Sequence, residues 1–261
     1  MQLTRLSQAT SLDSNSEIDI SSAEIANIVS YPNFSAKDYS DRLNEISSFG
    51  ITHFLLGGRT KIGKINIAGK GCVSVVLKVR AKNRIYALKI RRTDANRSSM
   101  ERESYLHKLA NSAQVGPQLV LSSKNLIIME FIDGLSLIHW IRNKDISAND
   151  ARHLAGSILE QCYRLDKSQI DHGQLSCLNH HILVSKSNNA ANVIDFETAS
   201  TARKPSNVTA AVQALFLSGT ISSRMNQLLD VAKKESIIQL LKKYKQNANK
   251  INFDNIMNIF S

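Results

Sequence analysis

The chain changes its hydrophobic period once, near residue 134, and that change restricts the fold more than any other feature. From Ile51 to Asp133 the apolar residues come in short runs rich in Val and Ile: His53–Leu56, Lys64–Ile67, Val73–Val79, Arg84–Ile90, Leu119–Leu121 and Leu126–Phe131. Gly, Lys and Asn separate them, with Lys82-Asn83 as a hairpin turn, so the segment reads as an antiparallel meander. One helix, Ser98 to Leu109, interrupts it ahead of the break at Gly116-Pro117. After Gly134 helical spacing takes over, in Leu135–Arg142, Ser147–Lys167, Asn207–Leu217 and Ser222–Lys245. Ser147 caps the second of these, and Leu154, Ile158, Cys162 and Leu165 share one face. Residues 168–200 read as mostly irregular, with small apolar runs at Ile182–Val184 and Asn192–Ile194. Strands followed by helices give an α+β chain in two lobes rather than a βαβ repeat.

Ahead of the meander, residues 1–20 are polar without an apolar period and read as a loose arm. Ser21–Val29 reads as a short helix capped by Ser22, ended by Pro32-Asn33. Ser35 to Phe49 is a second helix, with Tyr39, Leu43 and Ile46 in step and Gly50 as its stop. The expected division is therefore an arm with two short helices packing on the first lobe (1–50), a strand-rich lobe (51–133) and a compact helical lobe (134–261).

With 261 residues and 43% hydrophobic content the chain can bury a sizeable core. Its longest apolar runs, such as Leu126–Met129 and Ala210–Leu217, fall far short of the roughly 20 residues a bilayer-crossing helix needs. The first residues show no secretory h-region. The three cysteines, Cys72, Cys162 and Cys177, are far apart and form no C-x-x-C pair. That excludes a disulfide framework or a Cys-rich zinc site and suits a reducing cytoplasm. The net charge of +11 is unevenly placed: −4 over residues 1–50, +11 over 51–98 and +6 over 202–261. Such excess suits a nucleotide, RNA or an acidic partner, or an ordinary basic surface. Lys233, Lys234, Lys242, Lys243, Lys245 and Lys250 form the basic tail, which reads first as the wet face of an amphipathic helix. Its other side would carry Leu228, Leu229, Ile237, Ile238 and Leu241. RNA or ribonucleoprotein contact through this tail is the second reading, with no DNA specificity expected.

Four segments carry candidate chemistry. Gly69-Lys70-Gly71 precedes the strand-like Val75–Val79, and glycines at this spacing let backbone amides approach phosphates. A plain hairpin has the same pattern. A G-x-x-x-x-G-K run at Gly58–Lys64 is followed by Ile65 where a P-loop needs Ser or Thr, and no helix follows, so it is not one. Lys89 is a lone cation in the apolar run Tyr86–Ile90 and on its own reads as a solvent-facing residue of an alternating strand. Leu126–Phe131 is an apolar strand leaving through Ile132-Asp133-Gly134. Finally, the polar loop Asp171–Asn179 is followed by a short strand ending at Asp195. Two oxygen ligands, Asn179 and Asp195, then approach one point, as sparse Mg²⁺ coordination requires. His172, His180, His181 and Cys177 do not have zinc-ligand spacing. No G-x-S-x-G elbow supports a serine hydrolase.

In this order the motifs resemble the protein-kinase-like superfamily, and most closely its compact atypical members. These are the RIO kinases, the kinase subunit of the KEOPS complex and small archaeal Ser/Thr protein kinases of that kind. The resemblance runs from about Ile65 to Phe216. It implies a bilobal fold with an antiparallel-sheet N-lobe and a small helical C-lobe, and ATP/Mg²⁺-dependent Ser/Thr phosphorylation with autophosphorylation. By that resemblance Gly69, Lys70 and Gly71 cover the phosphates and Lys89 holds the α/β-phosphates. Glu103, preferred over Glu101 because Leu106 and Leu109 then point inward, orients Lys89. The Glu130 carbonyl and the Ile132 amide bind adenine, and Asn179 and Asp195 hold Mg²⁺. Three departures matter. Ser74 replaces the third loop glycine, which the turn tolerates. Glu197 replaces the glycine expected after Asp195-Phe196. Gln174 stands where these families place the catalytic Asp, with Asp171 three residues earlier as a substitute. A nucleotide-binding pseudokinase or ATPase switch in an RNA-related complex is therefore the alternative.

Overall fold

The computed structural model describes residues 17–260. The first sixteen residues of the expected arm lie outside these. The remainder of that arm is not loose. Glu17–Asp19 form β1, which pairs antiparallel with β2 (Ile51–Leu55), and Glu17 is ion-paired with Arg80. Ile18 is the residue of β1 that turns inward, and its burial supplies the reason for the pairing.

The chain forms two compact units. The first comprises the residues up to Glu101 together with Val120–Phe131. After β1 come a single 3₁₀ turn (Ala23–Ile25), capped by Ser22, then α1 (Ala26–Val29) and α2 (Ala36–Ser48), capped by Ser35. Arg42 of α2 is buried and donates from Nη1 to the Val29 carbonyl at 2.7 Å. Glu45 accepts from Ser123 and Asn125, pinning α2 on the turn that joins β8 (Leu119–Ser122) and β9 (Leu126–Glu130). β3 (Thr60–Ile62) and β4 (Ile65–Ile67) close a small hairpin over the segment rejected as a P-loop. β5 (Gly69–Lys70), β6 (Ser74–Ala81) and β7 (Arg84–Arg91) follow. The main sheet has the order β1-β2-β6-β7-β9-β8, with β5 added on β6. Lys82 and Asn83, at φ 47° and 64°, make the tight turn between β6 and β7, the mirror-image geometry that matches strand twist. Ile25, Ile28, Ile46, Phe54, Val75, Leu77, Leu88, Ile90 and Ile128 belong to one core.

The second unit comprises Arg102–Leu119 and the chain from Ile132 onward. α3 (Glu101–Ser112) thus groups with the helical unit, although a division at residue 133 places it with the strands. Its Leu106 and Ala110 are buried in the same core as α5 (Ala148–Lys167). α5 begins with a reciprocal capping box between Ser147 and Asp150, and it buries Leu154, Ile158, Cys162 and Leu165, the face its spacing predicts.

The structure corrects the reading of this unit in three places. Only Leu137–Trp140 of the expected helix Leu135–Arg142 is helical (α4); Gly134–Ser136 form β10 instead. The supposedly irregular stretch contains α6 (Leu178–His181), β11 (Ile182–Ser185) and β12 (Ala191–Val193). These strands form a three-stranded sheet in the order β10-β11-β12, whose period is too short to read from sequence. After α7 (Asn207–Val212), which runs on as one π-helical stretch over Gln213–Leu217, the expected helix Ser222–Lys245 is two. These are α8 (Gly219–Leu228) and α9 (Lys234–Gln246), and α10 (Lys250–Met257) follows. Leu229 leaves helical geometry at φ −121°, ψ 145°, so Leu228 and Leu229 do not share a helix face with Ile237, Ile238 and Leu241.

Candidate functional site

In the first unit, β5 pairs with β6 in the register Gly69↔Val76 and Lys70↔Val75, and the Gly71 amide donates to the Ser74 carbonyl at 2.8 Å. The turn therefore returns into a strand. A Cβ added at Gly69 or Gly71 would come no nearer than 3.7 Å to a non-neighbouring atom, and neither residue has left-handed φ. The fold itself does not require glycine there, which leaves bare backbone for a ligand to approach. Two residues outside the motif brace the turn. Arg92 donates from Nη1 to the Gly71 carbonyl at 2.9 Å and from its amide to Val73 at 2.7 Å. Asp94 holds the same guanidinium at 2.8 and 2.6 Å. The Tyr31 ring lies under both Arg92 (5.2 Å) and Lys70 (5.7 Å), and the Tyr31 carbonyl accepts from Thr93 at 2.8 Å. Sequence reasoning missed Tyr31 and Arg92; the only signal was a Tyr-Pro break far upstream and a basic pair ending a strand.

Lys89 is not the solvent-facing lysine that its strand suggested. It pairs with Val76 on one side and Ile127 on the other and is 5% exposed. β7 is a central strand covered on both faces over Ala87–Ile90, so alternation with solvent is lost. A lysine is kept in such a place only where its charge is used or compensated. Glu130 ends β9 opposite Tyr86 with its side chain exposed, and Ile132, half-buried, opens the second unit.

In the second unit the residues converge more tightly. Glu103 is buried on α3 while Glu101 is exposed. Carboxylate oxygens of Glu103, Asp195 and Glu197 lie within 4.8 Å of one another. Asp195 follows β12 at φ +71°, a region that a non-glycine residue enters rarely and at a cost of about 1–3 kcal/mol. Its place is fixed from both sides. Gln161 of α5 splints β12, donating to the Ala191 carbonyl at 2.7 Å and accepting from Val193 at 3.1 Å. The fully buried Phe196 packs on His107 of α3 (4.9 Å between centroids) and on His172 (5.4 Å). Gly116, at φ +78°, makes room for it: a Cβ there would come within 2.8 Å of the Val193 carbonyl and 2.9 Å of the Phe196 ring.

His172 shares its Nε2 proton with the carbonyl of Ile194, 3.1 Å away, and its own amide donates to Asn207 Oδ1 at 2.9 Å. Burial, with His181 alongside, pushes its pKa down to about 4, so the ring is a neutral structural donor. Asn207 in turn donates to the buried Asp166, which also accepts from the Val208 amide and the Tyr244 hydroxyl. Asn179, in the first turn of α6, keeps a buried Oδ1 with no hydrogen-bond partner among the described residues. Gln174 is half-buried in the turn that closes on the Cys177 amide. Asp171 is buried. Its Oδ2 accepts from Arg203 Nε at 2.7 Å, and its backbone bridges Ser200 in both directions. Gly173 sits at φ +85°, where a Cβ would meet the same Arg203 guanidinium at 2.6 Å.

The donors grouped here are carboxylates, hard oxygen ligands that Mg²⁺ takes and a zinc site does not favour. Glu197, read from sequence only as a departure, is thereby part of the carboxylate group. A seven-stranded antiparallel sheet bearing a buried lysine, and a helical unit bearing an acid on its first helix and another after a short hairpin, define the protein-kinase-like class. Comparison with protein-family models matches the RIO domain over residues 74–210, just over half of the chain. The chain belongs to the RIO family of atypical, kinase-like proteins. No curated protein matches it. Among the described residues no helix is long and apolar enough to cross a membrane.

Proposed function

We propose that the chain is an ATP/Mg²⁺-dependent Ser/Thr-type protein kinase that also phosphorylates itself, working in a reducing cytoplasm with its three cysteines free. The observation that carries the reading is the grouping of Glu103, Asp195 and Glu197 around a strained Asp195 inside a RIO domain. Lys89 engages the α/β-phosphates under the Gly69–Gly71 turn, Glu130 and Ile132 offer main-chain groups to adenine, and Glu103 orients Lys89. Asn179 and Asp195 would hold Mg²⁺, with Glu197 as a further oxygen donor. Bound there, the ion would neutralise charge on the phosphates.

In transfer, a substrate hydroxyl oxygen bonds to the γ-phosphorus while the bond to the β–γ bridging oxygen breaks and ADP leaves. Gln174 cannot take the hydroxyl proton, and Asp171 is occupied by Arg203. The proton passes to the transferred phosphate or to water, which a loose transition state permits because it demands little from a base. Gln174 hydrogen-bonds and orients the nucleophile. Its presence also favours the second reading, an ATPase or nucleotide-binding switch, in which water is the acceptor.

The test is transfer of label from γ-labelled ATP with Mg²⁺, following protein-bound and free phosphate in wild type and Asp195→Ala. Label in protein that vanishes in Asp195→Ala supports the kinase. Free phosphate alone supports the switch. Identical products from both proteins would remove Asp195 from the chemistry and sink both readings. Gln174→Asp should raise transfer sharply if the missing carboxylate limits it.

A further inference from the structure

The helical unit carries a second concave site that the nucleotide reading does not use. α7 and its π-helical continuation run beside α9, and a groove of about 410 Å³ opens along them. Leu217, Ile238 and Leu241 give it an apolar floor, and Lys234, Lys242 and Lys245 stand along one wall. The wall residues recur on one face of α9 at helical spacing. Every charged residue lining the groove is a lysine, and none is acidic. The surrounding chain sharpens the imbalance, with nine basic and three acidic residues from 202 to 261. The groove is also pre-formed. Ile237 and Tyr244 are buried on the inner side of α9, and the Tyr244 hydroxyl is tied to Asp166 at 3.0 Å. Lys204 donates to the Lys245 carbonyl at 3.2 Å. A π-helical stretch is an uncommon element that recurs at functional sites.

We propose that this groove docks an acidic peptide segment of a protein partner, one that places apolar side chains on Leu217, Ile238 and Leu241 and carboxylates on the lysines. Charge complementarity selects an anion, and the floor selects its chemistry. A nucleic acid would want aromatic or arginine planes for its bases, and none lines the groove. A second copy of the chain is a poor occupant, because its alternating acidic stretch Glu17–Asp19 is already spent in β1. Apolar side chains facing an apolar wall with acids opposite lysines follow the helix-in-groove mode of peptide recognition. The inference stands independently of the nucleotide reading, since no residue of the groove belongs to that site.

The test uses the full chain and three fluorescent probes: a short peptide of glutamate and leucine in helical alternation, the same peptide with glutamine for glutamate, and a short single-stranded RNA. The acidic peptide should bind saturably and weaken as salt rises. The Lys242→Glu/Lys245→Glu protein should lose about tenfold or more in affinity for it, the scale of two rim charges reversed. Ile238→Gln should weaken it too, while Lys144→Glu, far from the groove in sequence and exposed, should not. Thermal unfolding of each variant checks that it is folded. Equal binding of the glutamine peptide, indifference to the α9 variants, or RNA binding that the α9 variants abolish while the acidic peptide does not bind would each overturn the proposal.

Discussion

The glycine turn of the sheet unit and the carboxylate group of the helical unit are held by opposite means. The turn is braced at the surface, by one tyrosine ring under two cations and by Arg92, itself held by Asp94. Each of these contacts is exposed to water and worth little to folding. The carboxylate group rests on a buried chain of hydrogen bonds running from Tyr244 through Asp166 and Asn207 to His172 and the carbonyl before Asp195. Buried polar chains are costly to break because each member left behind lacks water as an alternative partner. The contrast teaches that damage to the second region should unfold the protein, whereas damage to the first should change only what it binds.

The largest effect tests that directly. Asp166→Ala strands two backbone amides and the Tyr244 hydroxyl and leaves the Asn207 Nδ2 with the Ile170 carbonyl alone, and should cost about 3–5 kcal/mol of unfolding free energy. Arg92→Ala should cost less than about 1 kcal/mol. Denaturant unfolding of the two variants gives the comparison, and equal losses would break it.

Next in size is a pH effect. His172 is neutral when folded down to about pH 4, but protonates near its ordinary value of 6.5 once unfolded. The unfolded chain therefore binds more protons over that window, and stability falls as the pH drops from about 6.5 to about 4. The full loss is about 3 kcal/mol. His172→Gln should flatten this limb of the stability curve, leaving the carboxylate-driven part at lower pH. A limb as steep as wild type would show that His172 is not the group responsible.

These two regions also differ in how far they were legible in the sequence. Asp195 stood out at the end of a short apolar strand, whereas Lys89 and Glu103 were singled out only through the order of motifs that the kinase resemblance supplies. The burial of Lys89 could not be read, since an alternating strand looks the same at an edge and in the centre; only β9 beside β7 decides it. That Glu103 rather than Glu101 is buried was readable from helical phase, because Leu106 fixes the inward face. Tyr31 and Arg92 were invisible: sixty residues separate them, and cation–ring contacts leave no periodic trace. The β10-β11-β12 sheet was missed because its strands have three or four residues, too few for a period to declare itself. α9 and α8 fused into one reading because the break between them, Leu229–Lys233, holds neither Gly nor Pro.

The brace predicts a binding effect of intermediate size. Arg92→Ala and Tyr31→Leu should each weaken ATP about tenfold, equivalent to about 1.4 kcal/mol, by freeing the turn that Lys70 and Gly71 occupy. Tyr31→Phe keeps the ring and should bind like wild type. Fluorescent-ATP titration reads all four proteins. If wild type binds and the two damaged variants bind equally well, the brace is irrelevant to the nucleotide; if Tyr31→Phe fails as badly as Tyr31→Leu, the hydroxyl rather than the ring matters.

The smallest effect reverses sign and bears on why Asp195 is strained at all. A residue at φ +71° stores about 1–3 kcal/mol, and glycine at that position releases it while costing about 0.5–1 kcal/mol in unfolded-chain entropy. Asp195→Gly should therefore be more stable than wild type by about 1 kcal/mol in metal-free buffer, visible as a higher melting temperature. Repulsion among three carboxylates within 4.8 Å makes the same prediction by another route, so Asp195→Asn is the control. It removes the charge and keeps the backbone strain. A gain for glycine that asparagine does not share assigns the cost to the backbone, and an equal gain assigns it to the charges. In either case adding Mg²⁺ and ATP should raise the melting temperature of wild type and narrow the difference, because the ligand stabilises only a chain that can hold it. A glycine variant no more stable than wild type would mean that the surrounding chain, from the Gln161 splint to the buried Phe196, absorbs the left-handed residue without penalty. The two halves would then differ in burial alone and not in stored strain.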